Sequence, residues 1–476
     1  MVRSELFRAG WLTVLVVLSL VVGASAAVAF SPEMETNVIV VGGGLAGLSA
    51  AVAALDGGAD VILVEKMPFL GGSSLLSGGG ILAAESHIQK EYGMTQTKEE
   101  LEEYWYEQQA FTAAPDGYPD PDFVGLAINE APQTIRFLDN SGVVFGQPWS
   151  FYPEVEDRLH APAEGGASGL IVPLTEYVES HGGTILTNTS AVELIQDSTG
   201  AIVGIRAETA DGLLEIGGRA VVLACGGFSQ NLAMMASVSP VAGDHISVAG
   251  LGNVGDGYAM AEAVGAAFHE EDWIIGLRSQ AVQGSSPLNN LGWTTGLYTT
   301  PKGERFTNEH DPYSVLYNTV TSMELDEYFL IFDETMSQVL EPGIELGVVF
   351  RGDSPEELAE DSGMDPVLFA ETAARYNALA AAGVDEDFGK PAELMTPLAE
   401  GTLYALRVTP TQMGTMGGVR TTLSMQVLND DGAVIPGLYA AGEMANRPYY
   451  GRVYVSGSAL LIAATTGRIA GEHAAQ

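Results

Sequence analysis

The stretch Asn37-Val38-Ile39-Val40-Val41-Gly42-Gly43-Gly44-Leu45-Ala46-Gly47-Leu48-Ser49-Ala50 constrains the fold more than any other part of the chain. Val38 to Val41 is an unbroken β-branched run, which suits a strand buried on both faces. Three glycines follow as Gly42-x-Gly44-x-x-Gly47, and the small, apolar run Leu45 to Leu55 reads as a helix. Gly42 permits the tight turn, Gly44 lets backbone approach a pyrophosphate, and Gly47 lets helix and strand pack closely. The helix start, at Leu45 and Ala46, supplies free N–H groups and a partial positive charge for phosphates. A second apolar strand, Ala59 to Val64, ends at Glu65, placed to accept from a ribose 2′-hydroxyl. Strand, helix and acid fall in the order a dinucleotide site requires. An ordinary βαβ unit, whose glycines only turn the chain, is the plainer alternative.

A chain of 476 residues has material for about two to four domains. Its alternating strand and helix signals favour an α/β fold. With 61 acidic against 20 basic residues the net charge is −41. Such a field repels nucleic acid and anionic membrane surfaces, yet local arginines can still hold an anionic substrate. Cys225 is the single cysteine. A disulfide framework, a Cys-rich zinc site and a c-type haem site are therefore excluded within the chain, and no metal site is expected. Any onward electron transfer goes to another molecule.

At the N-terminus, Arg3 and Arg8 precede the apolar run Trp11 to Val22, and small residues lead to Ala27-Val28-Ala29. This is the pattern of a secretory signal peptide, residues 1–29, cut before Phe30, and it implies an exported protein. Trp11 to Phe30 is also just long enough to span a bilayer, so an uncleaved membrane anchor is the alternative. The short apolar core and the small-residue flank favour cleavage.

After Lys66 comes Gly71-Gly72-Ser73-Ser74-Leu75-Leu76-Ser77-Gly78-Gly79-Gly80-Ile81. So many glycines and serines beside a dinucleotide site suggest backbone and hydroxyl contacts to the second half of a cofactor. The stretch resembles the FAD-binding segment of the fumarate reductase/succinate dehydrogenase flavoprotein superfamily, which includes the 3-ketosteroid dehydrogenases and urocanate reductases. The resemblance continues in order along nearly the whole mature chain. Ala220 to Phe228, with Ala224-Cys225-Gly226-Gly227, matches the family's strand and Gly-Gly turn, and Cys225 reads as a small buried residue rather than a nucleophile. Asn253-Val254-Gly255-Asp256-Gly257 is a further glycine turn opening a helix, where Asp256 can touch FAD, cap the helix, or do both. Gly303-Glu304-Arg305-Phe306-Thr307-Asn308-Glu309 resembles the cap-domain signature. Ile435 to Glu443, and Tyr450 to Leu460 with its following helix, match the closing segment.

What the resemblance implies is a Rossmann-like FAD-binding domain with an inserted α+β cap. The FAD domain takes residues 36–267 and 402–476, and the cap takes 268–401. Implied FAD contacts are Gly42, Gly44, Leu45, Ala46, Gly47, Glu65 and Lys66 in the first unit. Gly71, Gly72, Ser73, Ser74, Ser77, Gly78 and Gly79 follow in the serine-rich loop. Val192, Ala224, Gly226, Asp256, Glu443, Ser458, Ala459 and Leu460 complete the set. Members with covalent flavin carry a His in the Gly71–Ile81 loop. None is present here, so FAD is expected to bind non-covalently. The helix N-terminus near Gly457 to Leu460 is expected at the flavin pyrimidine edge, where its positive end favours negative charge on reduced flavin.

Members of the superfamily interconvert C–C and C=C bonds beside an electron-withdrawing group. In the dicarboxylate reductases an Arg shortly after Asn-Glu delivers the proton. Here Asn308-Glu309 is followed by His310-Asp311-Pro312-Tyr313-Ser314, without one. Their His before Thr-Met-Gly-Gly is replaced by Met413-Gly414, and their Gln-x-His-Pro motif is missing from Trp273 to Ser279. The 3-ketosteroid dehydrogenases instead place one Tyr shortly after Asn-Glu and another in a Gly-Arg-x-Tyr stretch. Tyr313 and Tyr454 match those positions. The resemblance implies that one tyrosine handles the α-proton and the other hydrogen-bonds the ketone. A proton-abstracting tyrosinate needs a neighbouring positive charge, for which Arg452, Arg447 or the helix end are candidates. The expected function is an FAD-dependent oxidoreductase acting on a ketosteroid-like or other enone, with an external redox protein or quinone as electron partner. An exported fumarate- or urocanate-type reductase of an unsaturated acid is the alternative.

Overall fold

The computed structural model describes residues 30–150, 157–239, 242, 245–269, 273–283, 286–291, 296–399 and 401–476. The proposed signal segment, 1–29, lies outside them. No helix among the described residues is long and apolar enough to cross a membrane.

Two sheets carry the molecule. In the first, β1 (Met34–Val41) pairs in parallel with β2 (Val61–Val64), and helix α1 (Leu45–Asp56) makes the crossover between them. Beyond β2 lies β3 (Thr184–Leu186), also parallel. The hairpin β4 (Ser190–Gln196) and β5 (Ile202–Thr209) leads into β6 (Gly212–Leu223), which returns beside β1 in parallel. Period-two alternation sends Val38 and Val40 into one core and Ile39 and Val41 into the other. Both faces are buried, as the unbroken β-branched run demands.

The sequence suggests two strands over 212–223, split at the glycines. The structure has one. Side chains on neighbouring segments fill the space at Gly217 and Gly218, where added Cβ atoms would lie 3.2 Å from Pro32 and 2.9 Å from Ile39. The glycines thus mark close approach and not a turn. Helix α2 (Lys98–Gln109) likewise begins earlier than the apolar pattern from Tyr104 suggests. Thr97 and Glu100 form a reciprocal capping box there, and the first turn is polar because it is exposed.

The second sheet is built mainly from the stretch expected to form the cap and from the strand that follows it. Helix α3 (Asp256–Ala263) precedes β7 (Trp273–Gln280), and β8 (Leu297–Thr299) follows. Next come α4 (Tyr313–Ser322), β9 (Tyr328–Asp333) and β10 (Val349–Gly352). All are organised around the long strand β11 (Leu403–Met416). Its first half, Leu403 to Val408, is flanked by β9 and β10. Its second half, Thr409 to Met416, pairs with β7. At the helix from Pro355, Ser354 caps the Glu357 N–H as expected, but Glu357 reaches back to Asp353 N–H at 3.0 Å and not to Ser354 itself.

The chain then returns to the first sheet through β12 (Gln426–Leu428) and β13 (Val434–Ala440), the latter parallel to β6. It ends in α5 (Ser458–Ala474), which lies backbone to backbone on α1. Added Cβ atoms at Gly467 and Gly471 would sit 2.1 Å and 2.2 Å from the Ala46 and Ala50 carbonyl oxygens. The starts of α1 and α5 therefore face one space.

Candidate functional site

That space is a cavity of about 860 Å³, bounded by the β1–α1 turn, the serine-rich loop, α5 and the cap junction. The glycines divide as the motif predicts. Gly42 has φ +104°, and an added Cβ would strike the Ala224 carbonyl oxygen at 2.4 Å. A Cβ on Gly47 would lie 1.8 Å from the Gly42 oxygen, so Gly47 serves helix–strand contact and does not line the cavity. At Gly44 the protein itself leaves room, with nothing nearer than 3.8 Å. The space beside Gly44 is kept clear for something other than protein. Helix α1 starts there with no side-chain cap and no acid in its first turn, so its positive end is available to a phosphate. These features fit a dinucleotide.

Glu65 lines the cavity, and both its oxygens hold main chain: Oε2 accepts from Gly43 N–H at 2.8 Å and Oε1 from Met67 N–H at 2.8 Å. Expected to accept from a ribose hydroxyl, it also braces the Gly42–Gly44 turn. The serine-rich loop contains a 3₁₀ turn, Gly72–Leu76. Ser73 Oγ accepts from Gly250 N–H at 3.0 Å, Ser74 Oγ from Leu45 N–H at 3.3 Å, and Ser77 Oγ donates to the Ser74 carbonyl at 2.7 Å. All three serines face the cavity, as do Gly72, Gly78 and Gly79. Gly71 does not; it bridges to Gly44.

Lys66, Ala224, Gly226, Asp256, Glu443, Ala459 and Leu460 also line the space, with Leu45 and Ala46. Three expectations are corrected. Val192 points outward and is 43 % exposed, while Thr189, Ser190 and Ala191 face the cavity; alternation along β4 makes Ala191 the inward residue. Asp256 is not the cap of α3. Gly255 occupies that position, and the Asp256 carboxylate forms an ion pair with Lys66. Ser458 is buried behind the wall, with Oγ 2.6 Å from Tyr450 Oη and donating to the Val455 carbonyl.

Glu443 is held by Thr415 N–H at 2.7 Å, Thr415 Oγ1 at 2.9 Å and Asn253 Nδ2 at 2.9 Å. Burial pushes its carboxyl above the usual range, against the pull of these donors. Sequence reading missed Thr415 and Asn253, which flank recognised glycine turns but become partners only through Glu443. Cys225 lines the cavity too. It is half-buried rather than buried, and desolvation pushes its thiol up to about 12, which favours the protonated form.

At the opposite end the walls change. Tyr313, from the start of α4, and Tyr454, just before α5, are both buried with ring centroids 5.8 Å apart. Tyr450 sits 5.9 Å behind Tyr454. Burial raises the Tyr454 phenol, while the N–H of Ala459, 3.4 Å from its oxygen, works the other way. The positive element beside Tyr454 is thus the N-terminus of α5. Arg452, expected to act there, is exposed and lies outside the cavity wall. Arg447 is fully buried, donates to the Tyr450 carbonyl and stacks on Tyr118 at 3.8 Å; it also lies outside the wall. Ile275, Met413, Met416, Trp149 and Leu159 make the remaining surface apolar. Among the described residues the lining contains no arginine and no histidine, and its cation is the paired Lys66.

Tyr313 is presented by a braced loop. Arg305 grips Glu309 through two bonds of 2.9 Å and Asp385 through bonds of 3.0 Å and 2.8 Å, and Lys390 lies 3.2 Å from Glu309. Burial works against the Asp385 carboxylate, yet Arg305 and the Lys390 N–H hold it down at about 2. This lattice ties the Gly303–Glu309 signature to the far end of the cap.

Comparison with known proteins gives a consistent answer. Residues 37–460 match the family described as FAD binding domain. A fumarate reductase (cytochrome) of Shewanella frigidimarina is 32 % identical over 458 residues, covering 95 % of this chain and 79 % of that protein. A urocanate reductase of Eggerthella lenta is 30 % identical, covering 93 % and 75 %. Among solved structures, a 3-ketosteroid-Δ4-(5α)-dehydrogenase from Rhodococcus jostii RHA1 in complex with 4-androstene-3,17-dione superposes with a TM-score of 0.76 at 26 % identity, covering 95 % and 99 %.

Proposed function

The chain belongs to the FAD-binding domain family, and on that premise we propose that it is an oxidoreductase of CH–CH groups acting on a cyclic, apolar enone such as a 3-ketosteroid. The observation that carries this reading is the buried Tyr313–Tyr454 pair in an apolar wall that lacks arginine among its described residues. A carboxylate substrate wants a cationic clamp; a ketone wants a hydrogen-bond donor and apolar walls.

Bound FAD supplies the hydride donor or acceptor at N5. The β1–α1 turn and the start of α1 would hold its pyrophosphate, Glu65 would serve its ribose, and the serine-rich loop and Glu443 would line the rest of its bed. The absence of histidine from the described lining supports non-covalent binding. Tyr454 carries the proton to or from the α-carbon, because its oxygen lies at the positive end of α5. Tyr313 donates a hydrogen bond to the ketone and steadies the enolate. Since burial raises the Tyr454 phenol, it is protonated at neutral pH and ready to act as an acid, which suits reduction of C=C. Dehydrogenation requires its anion and speeds up as pH rises.

A second reading, reduction of an unsaturated acid, is favoured by the higher identity to the fumarate and urocanate reductases. The cationic clamp it would need is absent from the described lining. The signal-peptide pattern of residues 1–29 supports export, and an external redox protein or quinone then exchanges electrons with the flavin. The division into 36–267 with 402–476 and 268–401 is part of the same proposal.

The test is anaerobic. The purified protein is photoreduced and its flavin absorbance followed as 4-androstene-3,17-dione, fumarate or urocanate is added. Rapid reoxidation by the enone alone is expected. Reoxidation by fumarate or urocanate alone overturns the enone assignment in favour of the second reading, and a colourless protein overturns both.

A further inference from the structure

Tyr454 lies in an irregular stretch, Gly451 to Val455, outside every sheet. Side chains from two helices satisfy its backbone. From α2, Gln109 Oε1 accepts from Gly451 N–H at 2.7 Å and Nε2 donates to the Val453 carbonyl at 2.7 Å. Trp105 of the same helix donates to the Tyr449 carbonyl at 3.1 Å and stacks on Tyr450. From α4, Ser314 Oγ accepts from Tyr454 N–H at 3.2 Å, and Asn318 Nδ2 donates to the Arg452 carbonyl at 3.0 Å. Ser314 and Asn318 are four residues apart and share a helix face. Tyr313 immediately precedes Ser314; Leu316 and Val320 on the same helix pack with β9 and β10, while Tyr317 packs into the core of the first sheet with its hydroxyl 3.0 Å from His245 Nδ1.

We propose that Ser314 and Asn318 are positioning residues that latch α4 onto the backbone of Arg452 and Tyr454, so that seating the cap and aligning the tyrosine pair are one event. The proposal rests on the two-tyrosine reading above. Side-chain hydrogen bonds to backbone weaken steeply with displacement, so a shift of about 1 Å in α4 releases both. The same shift carries Tyr313 away from Tyr454. Gln109 and Trp105 keep the flavin side of the segment in place meanwhile, so the site reassembles without refolding. Two bonds of this kind fix a register yet open within a catalytic cycle.

The experiment uses the full chain loaded with FAD: wild type, Asn318→Ala and, because Ser314 is buried, Ser314→Ala as a separate variant. Hydrogen–deuterium exchange is measured on peptides spanning 311–322, 449–457 and 98–109, and kcat and KM are measured with 4-androstene-3,17-dione. In each variant the first two peptides should exchange faster together, by about threefold or more, while the third does not change. The expected kcat falls about three- to tenfold with KM within about twofold and flavin absorbance retained. Unchanged exchange at 449–457, or faster exchange with unchanged kcat, overturns the latch. A wild type that turns over no enone sinks the functional reading; the paired exchange response, which needs no substrate, then decides the latch on its own.

Discussion

Along the floor of the cavity the ligand meets main chain: the Gly42–Ala46 turn, the 3₁₀ turn at Gly72–Leu76 and the start of α5. At the tyrosine end it meets side chains delivered from distant elements, Tyr313 from α4, Met413 from β11 and Tyr454 from the stretch before α5. A floor of backbone binds through groups that every residue carries, so substitution changes it little except where a side chain would fill the space. An end of side chains can be altered one residue at a time, which is how related folds come to serve acids and ketones on one cofactor. In this chain the tyrosine end is largely apolar and carries no arginine among its described lining residues.

The sharpest way to break this contrast is at Tyr454. Tyr454→Phe should lower turnover about 10²- to 10⁴-fold, or about 3–5 kcal/mol on the barrier, while the protein stays yellow. Steady-state rates beside flavin absorbance read both, and a mild effect would remove Tyr454 from proton transfer. Directly behind the floor, Gly47→Val should cost about 3 kcal/mol or more, because its side chain meets the Gly42 carbonyl. Here colour and fold go together, and denaturant unfolding shows it.

A third outcome concerns His160, buried below the Gly80–Leu159 wall. It accepts from Ser86 Oγ at 2.7 Å, and burial lowers it from 6.5 to about 4. The neutral ring is the folded form. Its stability contribution is therefore complete above pH ~6.5 and is lost as pH falls toward ~4, by up to about 3 kcal/mol. His160→Gln should flatten that acid limb in thermal unfolding scans. The smallest effect belongs to Arg452→Gln. If the end of α5 is the positive element beside Tyr454, kcat should stay within about twofold; a drop of tenfold or more would return Arg452 to the site.

The floor was legible in the sequence because its constraint is local. Gly42, Gly44 and Gly47 fall within six residues, and the strand before them can only be buried. β9 was legible for the same reason, as Tyr328-Phe329-Leu330-Ile331-Phe332 alternates between two cap cores. What escaped depends on pairing across the chain. Nothing near Gln109 announces that it will hold Gly451 and Val453, some 340 residues away. Val192 was misplaced by one residue, which in a strand means the opposite face. The resemblance implies Ser458 at the cofactor together with Ala459 and Leu460 at the helix start, yet its hydroxyl turns back to Tyr450. Arg452 was chosen for its charge, whereas an N–H at a helix end supplies the polarity there and is invisible in composition.

β11 carries a further consequence. One uninterrupted strand supplies the pairing edge for β9 and β10 with its first half and for β7 with its second. Melting the strands of 268–401 would strip β11, which also pairs with Ile246–Ser247 and whose Thr415 holds Glu443. The two sheets are therefore thermodynamically joined at β11, and the holoprotein should unfold as one cooperative unit, with a single calorimetric transition and no stable intermediate that has lost the second sheet alone.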